Sequence, residues 1–412
     1  MKKNLFRLLL VIAGTALSAL IVTTLILYNG LAPIDKAPVS DTGAEGSEET
    51  HSSLNTTDDA ADSPEEMRGI WLPYMCLTLS PDEQNESAFR RKACGILDKC
   101  SACGLNTVIM QVRPFSDALY KSKLFPWSHI LTGTQGKDPG FDPLAIMTEE
   151  AHKRGLALHA WINPLRISTG NTPRELSEDN PYIKWQKGLQ SPKENYFFEY
   201  QGGLYYDPSS KNVRALIAEG VRELVSSYDI DGVQIDDYFY PTEDESIDLA
   251  SYEEYKSAIP DGSKPLSHQE WRKNNINSLI CMMYMAVHSD GKDIEFGIAP
   301  QCNFDNDERM AADIRSWCSF SGYADYICPQ LYVSNQHPVF PFRRLADEWC
   351  SAMKNEKTKL YFGLALYKVG TDEDSGTWLT GEDIIKSQID YLRSHSVGGF
   401  ILYSYEYIDN YR

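Results

Sequence analysis

The sequence predicts an α/β protein whose body is a closed barrel of eight parallel strands. Eight short apolar segments carry few charges, and segments with helical periodicity lie between them. Near-continuous apolar strands that alternate with helices are typical of a parallel sheet covered on both faces. Eight such units are the number that closes a (β/α)8 barrel, also called a TIM barrel. With 42% hydrophobic and 24% charged residues, the 412-residue chain can bury a core of that size.

The first 28 residues have the pattern of a membrane anchor. Lys2, Lys3 and Arg7 precede an uncharged, mostly apolar run of 21 residues at 8–28, and roughly 20 helical residues cross a bilayer core. No good cleavage site follows, so we expect an uncleaved transmembrane helix, with a cleaved signal peptide as the alternative. The positive charges predict a cytoplasmic N-terminus. The chain is thus expected to be a single-pass protein of the cell membrane with its body outside the cytoplasm.

Residues 29–66 are predicted to form a disordered acidic linker. Ten acidic residues face one lysine there, and small or polar residues fill most of the rest. Such a segment cannot bury enough apolar surface to offset the entropy of ordering it. The net charge of the whole chain is −19, and the barrel body at 67–412 is acidic in its own right. This charge argues against nucleic acid as a partner.

The predicted elements of the body follow in chain order. We place the strands at 68–75, 106–113, 157–163, 232–237, 295–300, 326–332, 360–366 and 399–404. Helical patterns occupy 87–103, 143–154, 212–228, 268–288, 310–320, 342–354 and 381–394, and no eighth helix is expected before Arg412. An open doubly wound sheet is the alternative, but no Gly-x-Gly-x-x-Gly follows the first strand and no Walker sequence occurs.

Long connections at 114–142, 164–211 and 238–267 leave the carboxyl ends of the second, third and fourth strands. Barrel enzymes build their active sites at this end. The connections are rich in aromatic residues, which predicts a groove for an extended ligand. In the alternative interpretation these rings only pack the loops against the barrel.

Adjacent aspartates at the end of the fourth strand, Asp236 and Asp237, are the predicted catalytic residues. Charge inside a buried strand is costly, so both should lie at the barrel mouth. Two neighbouring carboxylates raise the pKa of one and leave the other ionised. Glycoside hydrolysis needs such a proton donor and such an anion. In the alternative, one aspartate caps a turn and the other pairs with Arg113 or Arg166.

Polar and aromatic residues near the other strand ends are predicted to bind substrate. Because side chains alternate along a strand, His159, Trp161 and Asn163 should point one way, as should Gln330 and Tyr332. His159 could equally be a core histidine, and Asp207 could simply start a turn. The predicted set is Arg113, Asp117, His159, Trp161, Asn163, Arg166, Asp207, Tyr238, Tyr240, Gln330, Tyr332 and Tyr367.

We expect no metal or cofactor. Nine cysteines are too few for a disulfide scaffold in a chain of this length. Cys100 and Cys103 have C-x-x-C spacing, but no second pair completes a zinc site. His-Glu-x-x-His and Gly-x-Ser-x-Gly are absent.

The body resembles the bacterial glycosyl-hydrolase-like family 10, formerly a domain of unknown function. The matching stretches lie at 67–71, 111–114, 126–128, 139–143, 159–164, 231–241, 296–300, 325–332 and 367–370. The resemblance implies a β/α barrel that acts on cell-wall glycan. Some members of the family are peptidoglycan glycosidases that cut strands stripped of their stem peptides. The sequence departs from the family pattern at two places: in the residues that follow Pro300, and at Ser209 itself.

The Asp231–Pro241 stretch also looks like the chitinase signature, but Tyr238 stands where that signature has its acidic residue. The adjacent aspartates are instead similar to those of O-GlcNAcase-type hexosaminidases. That similarity implies that Asp236 orients the substrate acetamido group and that Asp237 donates the proton. Tyr332 would bond the acetamido carbonyl.

The sequence therefore predicts a glycosidase of peptidoglycan glycan, with that polysaccharide and the membrane as its partners. The alternative is a non-catalytic barrel that binds cell-wall glycan. Such a module would keep the aromatic groove without needing both aspartates, so the pair favours an enzyme. Another acidic polysaccharide is a third candidate substrate, which the negative charge of the body disfavours.

Overall fold

The computed structural model describes residues 66–188, 195–379 and 383–411. The predicted anchor at 1–28 and nearly all of the predicted linker at 29–66 lie outside these residues. Glu66, at the end of that linker, forms an ion pair with Arg393. Within the described part of the chain, no helix is both long and apolar enough to cross a membrane.

Ten strands form one parallel sheet, and three form a small antiparallel sheet. The parallel strands are β1 (Met67–Leu72), β2 (Thr107–Arg113), β3 (Ala157–Ile162), β7 (Gly232–Ile235), β8 (Glu295–Ile298), β9 (Tyr326–Ile327), β10 (Gln330–Leu331), β11 (Lys359–Leu360), β12 (Phe362–Ala365) and β13 (Gly399–Tyr403). The antiparallel sheet has β4 (Arg166–Ser168), β5 (Phe197–Tyr200) and β6 (Gly203–Tyr206), and it lies within the long connection after β3.

The parallel strands pair around a complete ring. Strand β1 pairs with β13 on one side and with β2 on the other, and the order continues through β3, β7, β8 and β9. The sixth and seventh predicted strands are each broken in two, and β9 pairs with β11 while β10 pairs with β12. Because β12 pairs with β13, the ladder returns to its start. The eight predicted strands are thus confirmed, in sequential order.

Helices cover the outside of this barrel. They are α1 (Glu86–Ala102), α2 (His129–Thr132), α3 (Pro143–His152), α4 (Pro181–Gly188), α5 (Lys211–Ser227), α6 (Leu249–Ala258), α7 (His268–Val287), α8 (Phe304–Arg309), α9 (Ile314–Ser319), α10 (Phe342–Ala352), α11 (Glu373–Gly376) and α12 (Ile384–Ser394). Six of the seven predicted helices agree within a few residues. The helix predicted at 310–320 begins only at Ile314, since Ala311 has a left-handed φ of 62°.

Polar residues just before the helices fix where they start. The side chains of Asn85, Asp142 and Ser210 each accept a hydrogen bond from a backbone N–H in the first turn of α1, α3 and α5. Ser267 and Glu270 form a capping box at the start of α7. These caps satisfy N–H groups that have no partner within the helix.

Large side chains fill the barrel where neighbouring strands carry glycine. A Cβ atom at Gly232 would overlap the ring of His159, and one at Gly297 would overlap the ring of Tyr326. The Tyr326 hydroxyl lies 3.0 Å from His159 Nδ1 and accepts a bond of 3.1 Å from Gln234 Nε2. At this level the barrel is therefore a packed core and not an open channel.

Candidate active site

A cavity of about 320 Å³ opens at the carboxyl end of the barrel strands. Strand β7 ends at Ile235, so the next two residues, Asp236 and Asp237, reach this cavity directly. Its walls are formed by Trp71, Pro73, Tyr74, Met75, Gln111, Trp161, Arg166, Asp236, Asp237, Tyr238, Ala299, Gln330, Tyr332 and Tyr403. The two aspartates therefore lie next to this cavity, at the carboxyl end of the strands.

Asp236 is held by two side chains from the third strand segment. Its Oδ2 accepts a bond of 3.1 Å from Trp161 Nε1 and one of 2.5 Å from Asn163 Nδ2. Its Oδ1 accepts only the backbone N–H of Tyr238, at 3.4 Å. One carboxylate oxygen is thus firmly positioned, while the other remains open to a ligand.

Burial raises the pKa of the Asp236 carboxyl well above its usual range, and the neighbouring charge of Asp237 raises it further. The nearby Arg166 and the bonds from Asn163 and Trp161 act in the opposite direction. Burial also raises the pKa of Asp237, whose Oδ1 accepts a bond of 3.1 Å from Gln330 Nε2. Near neutral pH the pair can therefore keep a proton, as acid–base catalysis requires.

Two side chains that line the cavity, an amide and a guanidinium, hold Asn163 in place. Asn163 Oδ1 accepts bonds from Gln111 Nε2 at 2.6 Å and from Arg166 Nη2 at 2.9 Å. The Gln111 Oε1 in turn accepts the backbone N–H of Tyr74 at 3.2 Å. These bonds fix which atom of Asn163 is the oxygen, so its amide nitrogen must point at Asp236.

Six of the predicted substrate-binding residues belong to the site: five line the cavity, and one holds Asp236 without lining it. The lining residues are Trp161, Arg166, Tyr238, Gln330 and Tyr332 on the walls, with the pair Asp236 and Asp237 on the floor. Asn163 contacts Asp236.

The other six predicted residues lie away from the cavity. A β-bulge between Gln111 and Arg113 shifts the register of β2, so Arg113 leaves the barrel interior and its guanidinium packs 4.5 Å from the Phe125 ring centroid. Without the bulge, the alternation of side chains along β2 would place Arg113 on the same face as Gln111. His159 is a core histidine, 2% exposed, and burial lowers its pKa.

The remaining four hold loops or rings in place. Asp117 accepts a bond of 3.3 Å from the Phe115 backbone and one of 3.3 Å from Gln135. Asp207 accepts the Ser209 backbone N–H at 2.8 Å, which is the turn role given above as its alternative. The last two pack against other rings, Tyr240 against Phe198 and Tyr367 against Tyr332 and Tyr403.

Apart from Tyr238, the first residue of the third long connection, the aromatic walls come from strand ends and not from the long loops. None of the loop rings at 127, 185, 196–198, 200 and 205–206 lines the cavity, and Trp185 packs instead against Tyr196, with ring centroids 4.8 Å apart. The expectation that these rings form the groove is therefore corrected. Seven further lining residues were not predicted: Trp71, Pro73, Tyr74, Met75, Gln111, Ala299 and Tyr403. They lie at or just after the ends of β1, β2, β8 and β13, and that position was the available signal.

Neither alternative ion pair of the aspartates is present among the described residues, since neither Arg113 nor Arg166 forms a salt bridge with Asp236 or Asp237. No group of three or more His, Cys, Asp or Glu side chains in the described part of the chain could hold a metal ion.

Comparisons with known proteins identify the family of this chain. The model of the family "Glycosyl hydrolase-like 10" matches residues 66–379. The chain is 35% identical over 349 residues to glycosyl hydrolase YngK of Bacillus subtilis, covering 79% of this chain and 65% of that protein. It is 33% identical over 376 residues to glycosyl hydrolase DigH of Escherichia coli K12, covering 84% of each.

A solved structure shares the fold. The glycoside hydrolase domain of PgaB (BpsB) from Bordetella bronchiseptica aligns with a TM-score of 0.54 at 15% identity, covering 84% of this chain and 96% of that domain. Because the family match spans more than half of the sequence, this chain belongs to the glycosyl hydrolase-like 10 family.

Proposed function

We propose that this protein is a glycoside hydrolase that cleaves peptidoglycan glycan strands stripped of their stem peptides. The observation that carries the proposal is the pair of adjacent carboxylates, Asp236 and Asp237, facing an aromatic-walled cavity with raised pKa values. Aromatic rings such as Trp161 and Tyr238 offer flat faces on which sugar rings pack. The peptidoglycan substrate follows from the family resemblance.

An enzyme accounts for the aspartates better than a binding module does. Placing two carboxyl groups side by side in a buried site costs free energy. A barrel that only binds glycan gains nothing from this cost, whereas a hydrolase needs one group as the acid and the other as the anion.

In the proposed mechanism, Asp236 orients the acetamido group of the substrate. Its Oδ2 is held by Trp161 and Asn163, so Oδ1 is free to accept the acetamido N–H. The acetamido oxygen then attacks the anomeric carbon as the glycosidic C–O bond breaks. Tyr332 donates a hydrogen bond to that oxygen, and burial raises the pKa of Tyr332 so that its hydroxyl stays protonated.

Asp237 supplies the proton in the same step. It protonates the departing glycosidic oxygen, and the raised pKa keeps that proton available. A water molecule next attacks the anomeric carbon of the cyclic intermediate. Asp237 takes the proton of this water, the acetamido group is restored, and the anomeric configuration is retained.

The proposed location is the outer face of the cell membrane. The apolar run at 8–28 would anchor the chain, and the acidic segment at 29–66 would separate the barrel from the bilayer. This location would bring the catalytic domain to the wall glycan.

The first test uses the full-length protein on purified peptidoglycan, with and without prior removal of stem peptides by an amidase. We expect glycan fragments, read by mass spectrometry, from the stripped material. Asp236→Asn and Asp237→Asn should each lower the rate by about 100-fold to 10,000-fold. Glu406→Gln, at an exposed acid outside the cavity, is the control and should remain active. Retained glycan binding without any fragments from the unmutated protein would favour the non-catalytic alternative.

A second test addresses the nucleophile. A 2-deoxy-2-fluoro sugar lacks the acetamido group, so it should leave no covalent adduct on the protein. An adduct on Asp236, found by peptide mass spectrometry, would mean that this residue attacks the sugar directly.

A further inference from the structure

Arg166 is the one Lys, Arg or His side chain among the described residues that line the cavity. Its Nε donates to the Pro114 carbonyl at 2.8 Å, and its Nη2 donates to Asn163 Oδ1 at 2.9 Å. A guanidinium carries five N–H donors. The other three have no hydrogen-bond partner within the described part of the chain.

The orientation of this guanidinium is fixed by two aromatic rings. Its central carbon lies 4.8 Å from the Phe115 ring centroid and 5.1 Å from that of Tyr238. The Arg166 residue is 9% exposed. A guanidinium held in this way loses little further freedom when it binds an anion, and its planar fork suits a carboxylate.

The free donors are not used by the catalytic pair. Arg166 lowers the pKa of both Asp236 and Asp237 through its charge, yet no salt bridge joins it to either. Because Arg166 lines the cavity, these donors are available to an acceptor that arrives with the substrate.

We infer that Arg166 binds a free carboxylate on the sugar and thereby selects stripped glycan strands. This inference rests on the proposed function. In peptidoglycan, the lactyl group of N-acetylmuramic acid ends in a free carboxylate once the stem peptide is removed. With the peptide attached, that group is a neutral amide, which offers no charge to Arg166 and adds bulk beside Tyr238.

The test compares two substrates that differ only at the lactyl carboxyl group. One is a stripped glycan oligosaccharide, and the other is the same oligosaccharide with its lactyl carboxylates converted to methylamides. We expect the full-length protein to prefer the free acid by about 10-fold to 100-fold in kcat/KM. Arg166→Gln should bring this ratio close to 1, and Arg166→Lys should restore part of it. Arg309→Gln is the matched control, because Arg309 is exposed and pairs with Glu243.

The outcomes separate the inference from the proposed function. Equal cleavage of both substrates by the unmutated protein would overturn the inference and leave the hydrolase proposal intact. An Arg166→Gln variant that slows both substrates equally would also overturn it, since Arg166 would then act only on the aspartates. If neither substrate is cleaved, the proposed function fails, and binding of each oligosaccharide to the folded protein by calorimetry still measures the preference. Thermal unfolding of each variant checks that it folds.

Discussion

At the scale of single residues, the hydrogen-bond donors around Asp236 and Asp237 distinguish their roles. Asp236 receives two side-chain N–H groups on one oxygen, from Trp161 and Asn163. Asp237 accepts from Gln330, and a hydrogen bond from the Gln301 side chain also lowers its pKa. The donors from Trp161 and Asn163 suit Asp236 to the proposed role of orienting anion, and the raised pKa of Asp237 suits it to the proposed role of proton donor.

The raised pKa of Asp237 predicts an effect on stability. A carboxyl group whose pKa is higher in the folded chain costs folding free energy at any pH above its unfolded pKa of about 3.9. Asp237→Asn removes this cost while its amide oxygen can still accept from Gln330. We therefore expect a higher Tm for the variant at pH 7 and no difference near pH 3.5, measured by scanning fluorimetry. Glu406→Gln should show no such gain, and a lower Tm for Asp237→Asn at pH 7 would contradict the argument.

At the scale of elements, small residues decide how closely strands and helices approach. Gly220 lies on α5 opposite the outward-facing end of β2. A Cβ atom there would lie 2.5 Å from Arg113 Nη1 and 2.7 Å from the Phe125 ring. The bulge that turns Arg113 out of the barrel thus depends on a glycine in the facing helix.

Two helical glycines give a matched prediction. Gly220→Ala should destabilise the protein by about 1–3 kcal/mol, because the added methyl group overpacks the contact with Arg113. Gly95→Ala, on the exposed face of α1 with no atom within 4 Å, should stabilise it by about 0.5–1 kcal/mol. Denaturant unfolding measures both. Equal effects of the two substitutions would show that helix propensity, and not packing, controls position 220.

At the scale of the whole molecule, an acidic chain is proposed to act at a membrane. With a net charge of −19, the chain is repelled by anionic lipid headgroups. Attachment would therefore depend on the apolar run at 8–28 and not on the charge of the barrel surface.

The orientation across the membrane is open to a direct test. Alkaline phosphatase, which is active only after export, should be active when fused to the C-terminus of the full chain. Replacing Lys2, Lys3 and Arg7 with Glu should reduce that activity, because these charges set the orientation. Full phosphatase activity in a fusion that lacks residues 1–28 would exclude this segment as the export signal.

The linear pattern was sufficient to predict the barrel, its eight strands and the aspartate pair. Strand periodicity and apolar runs are local properties, and the cost of burying charge places Asp236 and Asp237 at a strand end whatever the surroundings. Because side chains alternate along a strand, the shared orientation of Trp161, on β3, and Asn163, directly after it, was also predictable.

Only the tertiary structure decided which of the other polar residues reach the cavity. A single bulge in β2 removed Arg113 from the site and left Gln111 in it. The depth of His159 depends on Gly232 and Tyr326, which are distant in sequence. The cavity walls form where residues near the ends of different strands lie at the same level along the barrel axis. Trp71 on β1 and Tyr403 on β13 are examples. That level depends on the register between strands, which no local pattern in the sequence contains.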